Sequence, residues 1–300
     1  MKRLSPAKDA ATRVLRITRQ RITAALHELE NSEPDDESLH AARKSLKRAR
    51  TGLRLLRPGL KDGEYRRANA SLRDAARPLG VVRDARVLQD TLACVVQDSQ
   101  HAKRVRALEH LLRRARRESR QELLRDKRIL AHSRRLLRAT LARMAGWKLR
   151  KSEWKLLGAA LEHAYDKAKR ARAAARAAGT PAALHEWRKQ VQYLRYALEI
   201  LEPIWPAVVG ELETQARKLS DDLGDSHDLS ALCEVTVAHP DALRTPGDLE
   251  AILALTERQQ QTAMDEAKLI GSRLFDEKPR AFAARLGRYW RDWRQDAGVL

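Results

Sequence analysis

Between Leu39 and Arg57 the chain carries seven Lys or Arg residues and no Asp or Glu. At about 100° per residue, His40, Arg43, Lys44, Lys47, Arg50 and Arg54 fall on one arc of a helix. Leu39, Ala42, Leu46, Ala49, Leu53 and Leu56 fall on the neighbouring arc. With about 1.5 Å of rise per residue, the basic arc is a stripe roughly 20 Å long. A solvated helix face normally mixes signs, because opposite charges at i, i+4 stabilise a helix and like charges destabilise it. A stripe of one sign accepts that cost. The chemistry it suits is the binding of a polyanion by several charge-assisted hydrogen bonds.

The stripe occurs twice. Leu39, His40, Arg43, Lys44, Arg50, Leu53, Leu56 and Pro58 return as Leu184, His185, Arg188, Lys189, Arg195, Leu198, Leu201 and Pro203, each pair offset by 145. Arg73, Leu79, Gly80, Asp84 and Leu88 return as Arg217, Leu223, Gly224, Asp228 and Leu232, offset by 144. The chain therefore reads as two copies of one helical unit, residues 1–146 and 147–300, packed about a pseudo-twofold axis. The second stripe is less basic, since Gln192 and Glu199 stand where the first has Lys47 and Arg54. Its apolar arc is Leu184, Trp187, Val191, Leu194, Leu198 and Leu201.

Other groups have the right chemistry in less telling patterns. Arg113, Arg117 and Arg120 share a helix face, as do Lys169, Arg172 and Arg176, and both faces are candidates for ligand contact. His40 and His185 have no second His, Cys or Asp at i+3 or i+4, so metal ligation is not expected. An imidazole donating to a phosphate oxygen fits the adjacent cations. Gly80 and Gly224 read as helix C-caps, with Asp84 and Asp228 capping the helices that follow. Arg83, at that junction, is a further ligand candidate.

Helices must position these residues. Ala, Leu, Arg, Glu and Lys dominate the 300 residues, and all are strong helix formers. No convincing strand is found, so the expected class is all-α. Punctuation predicts helices from about Pro6 to Leu29, from Pro34–Asp36 to Pro58, from Glu64 to Leu79, and from Asp84 to Val96. A basic stretch follows from His101 to Ala145, broken once, and then helix from Ser152 to Ala178. Thr180 and Pro181 open the next helix, which ends at Pro203. The last segments are Pro206–Leu223, Asp228–Ala238, Gly247–Gly271 and Pro279–Asp296. The charge is +20 and the hydrophobic fraction 43%, so a substantial core forms beneath a basic surface. No apolar run spans a bilayer. The two cysteines, Cys94 and Cys233, make neither a disulfide framework nor a zinc site and are expected to pack as small apolar residues. With no signal peptide recognised, a reducing cytoplasm is the expected compartment. No phosphate-binding glycine loop, nucleophile elbow or clustered acidic pair is present, so no enzyme activity and no cofactor are expected.

The Leu39-His40-x-x-Arg43 run through Lys47, Arg48, Arg50 and Arg54, the Leu79-Gly80-x-x-Arg83-Asp84 element, and their second-copy partners resemble the CHAD domain, the conserved histidine α-helical domain. The resemblance covers essentially the whole chain. It implies two helical bundles around a basic groove or pore, inorganic polyphosphate as ligand, and an association with polyphosphate granules or polyphosphate-metabolising enzymes. It also implies ligand contacts at His40, Arg43, Lys47, Arg48, Arg50 and Arg54, and at His185, Arg188, Lys189 and Arg195. Gln192 and Tyr193 depart from the pattern, where Lys or Arg is usual. The alternative ligand is duplex DNA or structured RNA, bound through phosphates alone. Aromatic residues are only 4% and none is interleaved with the basic stripes as a pair, which favours polyphosphate over single strands. A phosphotransfer role for His40 is disfavoured, because that helix wants a small Gly after its Lys, where this chain has Ser45.

Overall fold

The computed structural model describes residues 9–31, 33–97, 105–149, 153–243 and 245–298. Within them the chain forms eleven α-helices and no strand. In order they are α1 (Ala10–Glu28), α2 (Asp36–Leu56), α3 (Asp62–Ala76), α4 (Pro78–Val96), α5 (Arg106–Arg125), α6 (Lys127–Ala145), α7 (Glu153–Ala178), α8 (Pro181–Leu201), α9 (Pro206–Ala238), α10 (Pro246–Leu274) and α11 (Pro279–Asp296). The chain is all-α, as expected. Residues 6–8, 101–104 and 152, at the starts of three predicted helices, lie outside the described residues.

Local chemistry explains the two helices that carry the stripes. Asp35 caps α2 by accepting from the Ser38 amide, and Asp36 and Glu37 in the first turn oppose the macrodipole. Thr180 caps α8 by accepting from the Ala183 amide, with Pro181 at the first helical position. Gly179, at φ +61°, ends α7 in the left-handed region that glycine tolerates. Both apolar arcs point inward. Leu46, Leu53, Leu194 and Leu198 are fully buried, and so is nearly all of Trp187.

The glycine junctions differ from expectation. Pro78 opens α4 two residues before Gly80, and α9 runs unbroken for 33 residues through Gly224. Neither glycine is a C-cap, and neither Asp84 nor Asp228 is an N-cap. Glycine in a helix loses about 1 kcal/mol against alanine, so its presence needs another reason, which the site supplies. Cys94 is exposed rather than packed, and Cys233 is half-buried.

The core has three parts. One packs α1–α4 with α6 through Leu46, Leu72 and Leu137. Another packs α7–α11, and Ala10, Val14, Leu55 and Leu56 from α1 and α2 enter it. The third joins the ends of α4 and α9 to α5 and α10 through Leu92, Leu108, Leu232 and Ile252. Two of the three cores thus combine residues from both sides of residue 146. These shared cores set α2, α4, α8 and α9 around one cleft.

Candidate functional site

Arg43, Lys47 and Arg50 from α2, Arg83 and Asp84 from α4, His185, Arg188, Lys189, Gln192, Tyr193 and Tyr196 from α8, and His227 from α9 wall a cleft of about 240 Å³. A larger cavity of about 740 Å³ lies on another face of α9. Asp90, Asp222, Asp225 and Asp228 line it, so its sign is wrong for a polyanion. The smaller cleft carries the chemistry.

The helix glycines seat its guanidinium groups. A Cβ on Gly80 would lie 2.6 Å from Arg43 Nη1, and one on Gly224 would lie 2.7 Å from Arg188 Nη2. A Cβ at either place would displace the guanidinium from its seat. At matched sequence positions, offset by 145 for the arginine and 144 for the glycine, an arginine thus rests on a glycine of the next-packed helix. A second matched contact accompanies it. Arg50 donates from Nε to Asn69 Oδ1 at 3.0 Å, and Arg195 donates from Nε to Glu213 Oε1 at 3.2 Å. Asn69 fixes Arg50 without neutralising it. Glu213, together with Asp221 at 3.5 Å, neutralises Arg195, which stands outside the cleft wall.

Among the described residues, no carboxylate lies within ion-pair distance of Arg43, Lys47 or Arg50. Arg83 reaches Asp84 at 3.1 Å and Asp228 at 3.4 Å, and Arg188 lies 4.0 Å from Asp228. Burial, with Arg43, Arg188 and Arg83 nearby, pushes the Lys47 ammonium down to about 7, with Asp84 opposing. Burial likewise lowers Arg43 and Arg188 from the ordinary guanidinium value. Burial first, then His227 and Arg188, lowers His185, whose ring centroid lies 5.4 Å from that of His227. The cleft holds positive charge that the protein itself does not balance.

The other expected contacts lie elsewhere. His40 and Lys44 are exposed and outside the wall, and burial followed by the charges of Lys44 and Arg83 lowers His40. Arg48 donates to Glu199 at 2.9 Å and lies over the Tyr196 ring. Arg54 stacks on the Tyr193 ring at 3.6 Å. Aromatic rings therefore do meet the first basic stripe, contrary to the sequence reading, but from α8 rather than α2. Arg113 pairs with Glu109, Arg120 with Asp36, and Arg117 is exposed on α5. Lys169 donates to the Asp276 and Glu277 carbonyls, Arg172 lies against the Gly271 position, and Arg176 is exposed. None of these six lines the cleft. Asp84, Gln192, Tyr193, Tyr196 and His227 do, and were not proposed as contacts. The near-equal spacings from Arg43 to Gly80 and from Arg188 to Gly224, 37 and 36 residues, were the signal that pairs these residues.

No helix among the described residues is long and apolar enough to cross a membrane. The family model described as the CHAD domain matches residues 16–237. Solved structures similar in fold include two that cover nine-tenths or more of this chain. PptA from Streptomyces chartreusis aligns at a TM-score of 0.64 and 17% identity, over 90% of this chain and 100% of its own. The CHAD domain from the plant Ricinus communis aligns at 0.58 and 17%, over 91% of this chain and 94% of its own. No curated protein matches the chain.

Proposed function

The chain belongs to the CHAD domain family, and on that premise we propose that it binds inorganic polyphosphate in the cleft of α2, α4, α8 and α9, without turning it over. The observation that carries this reading is the convergence of Arg43, Lys47 and Arg50 with Arg83 and Arg188, three of the five lacking a carboxylate partner among the described residues. A linear anion of phosphates supplies the missing charge and needs only cations and donors in return. Phosphoryl transfer uses carboxylates that hold Mg²⁺, whereas Asp84 in this cleft is engaged by Arg83. Residues 1–146 and 147–300 contribute as two units, the first carrying most of the unbalanced charge. Association with polyphosphate granules in the cytoplasm, and with the enzymes that act on polyphosphate, follows from the same affinity.

The test is a titration with long-chain polyphosphate and with duplex DNA across a salt series. Both affinities fall with salt as counterions are released. The expected result is that polyphosphate stays bound at about 0.15 M salt, that DNA is lost, and that alanine at Arg43, Lys47 or Arg50 weakens polyphosphate. DNA binding equal to or tighter than polyphosphate overturns the proposal.

A further inference from the structure

A third cavity, of about 370 Å³, adjoins the cleft and shares Tyr193 with it as a wall. Its lining mixes two chemistries. Arg54, Arg57 and Lys167 supply three cations, while Leu60, Ala160 and Ala164 supply apolar surface. The Arg54 guanidinium lies 3.6 Å from the Tyr193 ring centroid, and that of Arg57 lies 5.0 Å from the Tyr65 centroid. Arg54 Nε is buried with no hydrogen-bond partner among the described residues, a donor that lacks its acceptor. Asp62, which pairs with Arg66 and lies 3.9 Å from Arg57, and Gln190, whose amide nitrogen donates to Glu186 and leaves its oxygen to accept, stand at the same wall.

A bare phosphate chain gains nothing from the apolar surface, and an apolar ligand gains nothing from three cations. A ligand with a phosphate tail and a flat polar head satisfies both. Guanidinium planes are stacking surfaces for nucleobases, and an amide oxygen can accept from base or ribose groups. The volume lies within the range of small-molecule sites. We propose that this cavity takes the base and ribose of a nucleoside polyphosphate whose phosphates run past Tyr193 into the basic cleft. The proposal rests on the polyphosphate reading of that cleft.

The experiment compares ATP with inorganic tripolyphosphate by calorimetric titration of the full chain, without Mg²⁺. Tripolyphosphate offers the same three phosphoryl groups with more charge and no base, so a purely electrostatic cleft prefers it. The expected result is a preference for ATP of about fivefold or more, the scale of one stacked base. Ala164→Phe, which fills the cavity from α7, removes that preference and leaves tripolyphosphate affinity unchanged. Arg57→Ala, an exposed change that leaves the fold intact, lowers ATP affinity alone and serves if the first variant does not fold. Equal affinities, or a preference for tripolyphosphate in the unmodified protein, overturn the inference while leaving the cleft's reading in place. Binding of neither ligand, nor of long-chain polyphosphate, overturns both.

Discussion

Gly224→Ala is a perturbation whose effect on binding should exceed its effect on stability. The added Cβ would lie 2.7 Å from Arg188 Nη2, 3.0 Å from Cζ and 3.3 Å from Nε, so it meets the body of the guanidinium and not only its tip. Heavy atoms rest at about 3.5–4.0 Å, so the group must move by about 1 Å. Its link to Asp228 is already long at 4.0 Å and offers little resistance. A hydrogen bond to a charged group contributes about 1.5–3 kcal/mol, and losing part of one lowers polyphosphate affinity about tenfold. Alanine in the interior of α9 meanwhile gains about 1 kcal/mol over glycine, which offsets the crowding, so the Tm stays near its original value. Calorimetric titration and a thermal melt on the same preparation read both quantities. On an Arg188→Ala background the space is vacant, so Gly224→Ala there raises the Tm and costs no further affinity. Unchanged binding by Gly224→Ala, or an equal loss on both backgrounds, would show that the glycine does not position Arg188.

Three other outcomes follow from the same geometry. Lys47 sits near 7 in the free protein, and a bound anion restores its ordinary basicity. Binding therefore takes up a proton above about pH 7, and affinity falls by up to about tenfold per pH unit between there and about 10. Titrations in buffers of different ionisation enthalpy measure the uptake, and Lys47→Gln abolishes it; the same uptake in the variant would remove Lys47 from the account. Arg50→Ala weakens polyphosphate with little change in Tm. Arg195→Ala does the reverse, because it removes one of the two arginines holding buried Glu213 and costs about 1–3 kcal/mol in a denaturant melt. Leu46→Ala and Leu198→Ala, both at fully buried positions, each lower stability by about 2–5 kcal/mol in the same melt.

The two stripe helices were legible from residue order. A one-sign basic arc beside an apolar arc, a helix start over Pro34–Asp36 or at Thr180, and a proline after each helix are local features, and local physics decides them. The identities offset by 145 and 144 were legible too, because matching residue types needs no structure. Which cations face the cleft was not legible. Arg48 is held by Glu199, 151 residues away, while Arg50 meets neutral Asn69 and Arg195 meets charged Glu213. The sign of the residue across the interface separates a free cation from a balanced one, and only packing brings that residue near. Gly80 and Gly224 show the same division. Sequence marks them as glycines and suggests helix ends, since a glycine's commonest role is conformational. Tertiary structure makes them the floor beneath two arginines, because inside a regular helix the missing Cβ is used where another chain segment comes close enough to fill the space.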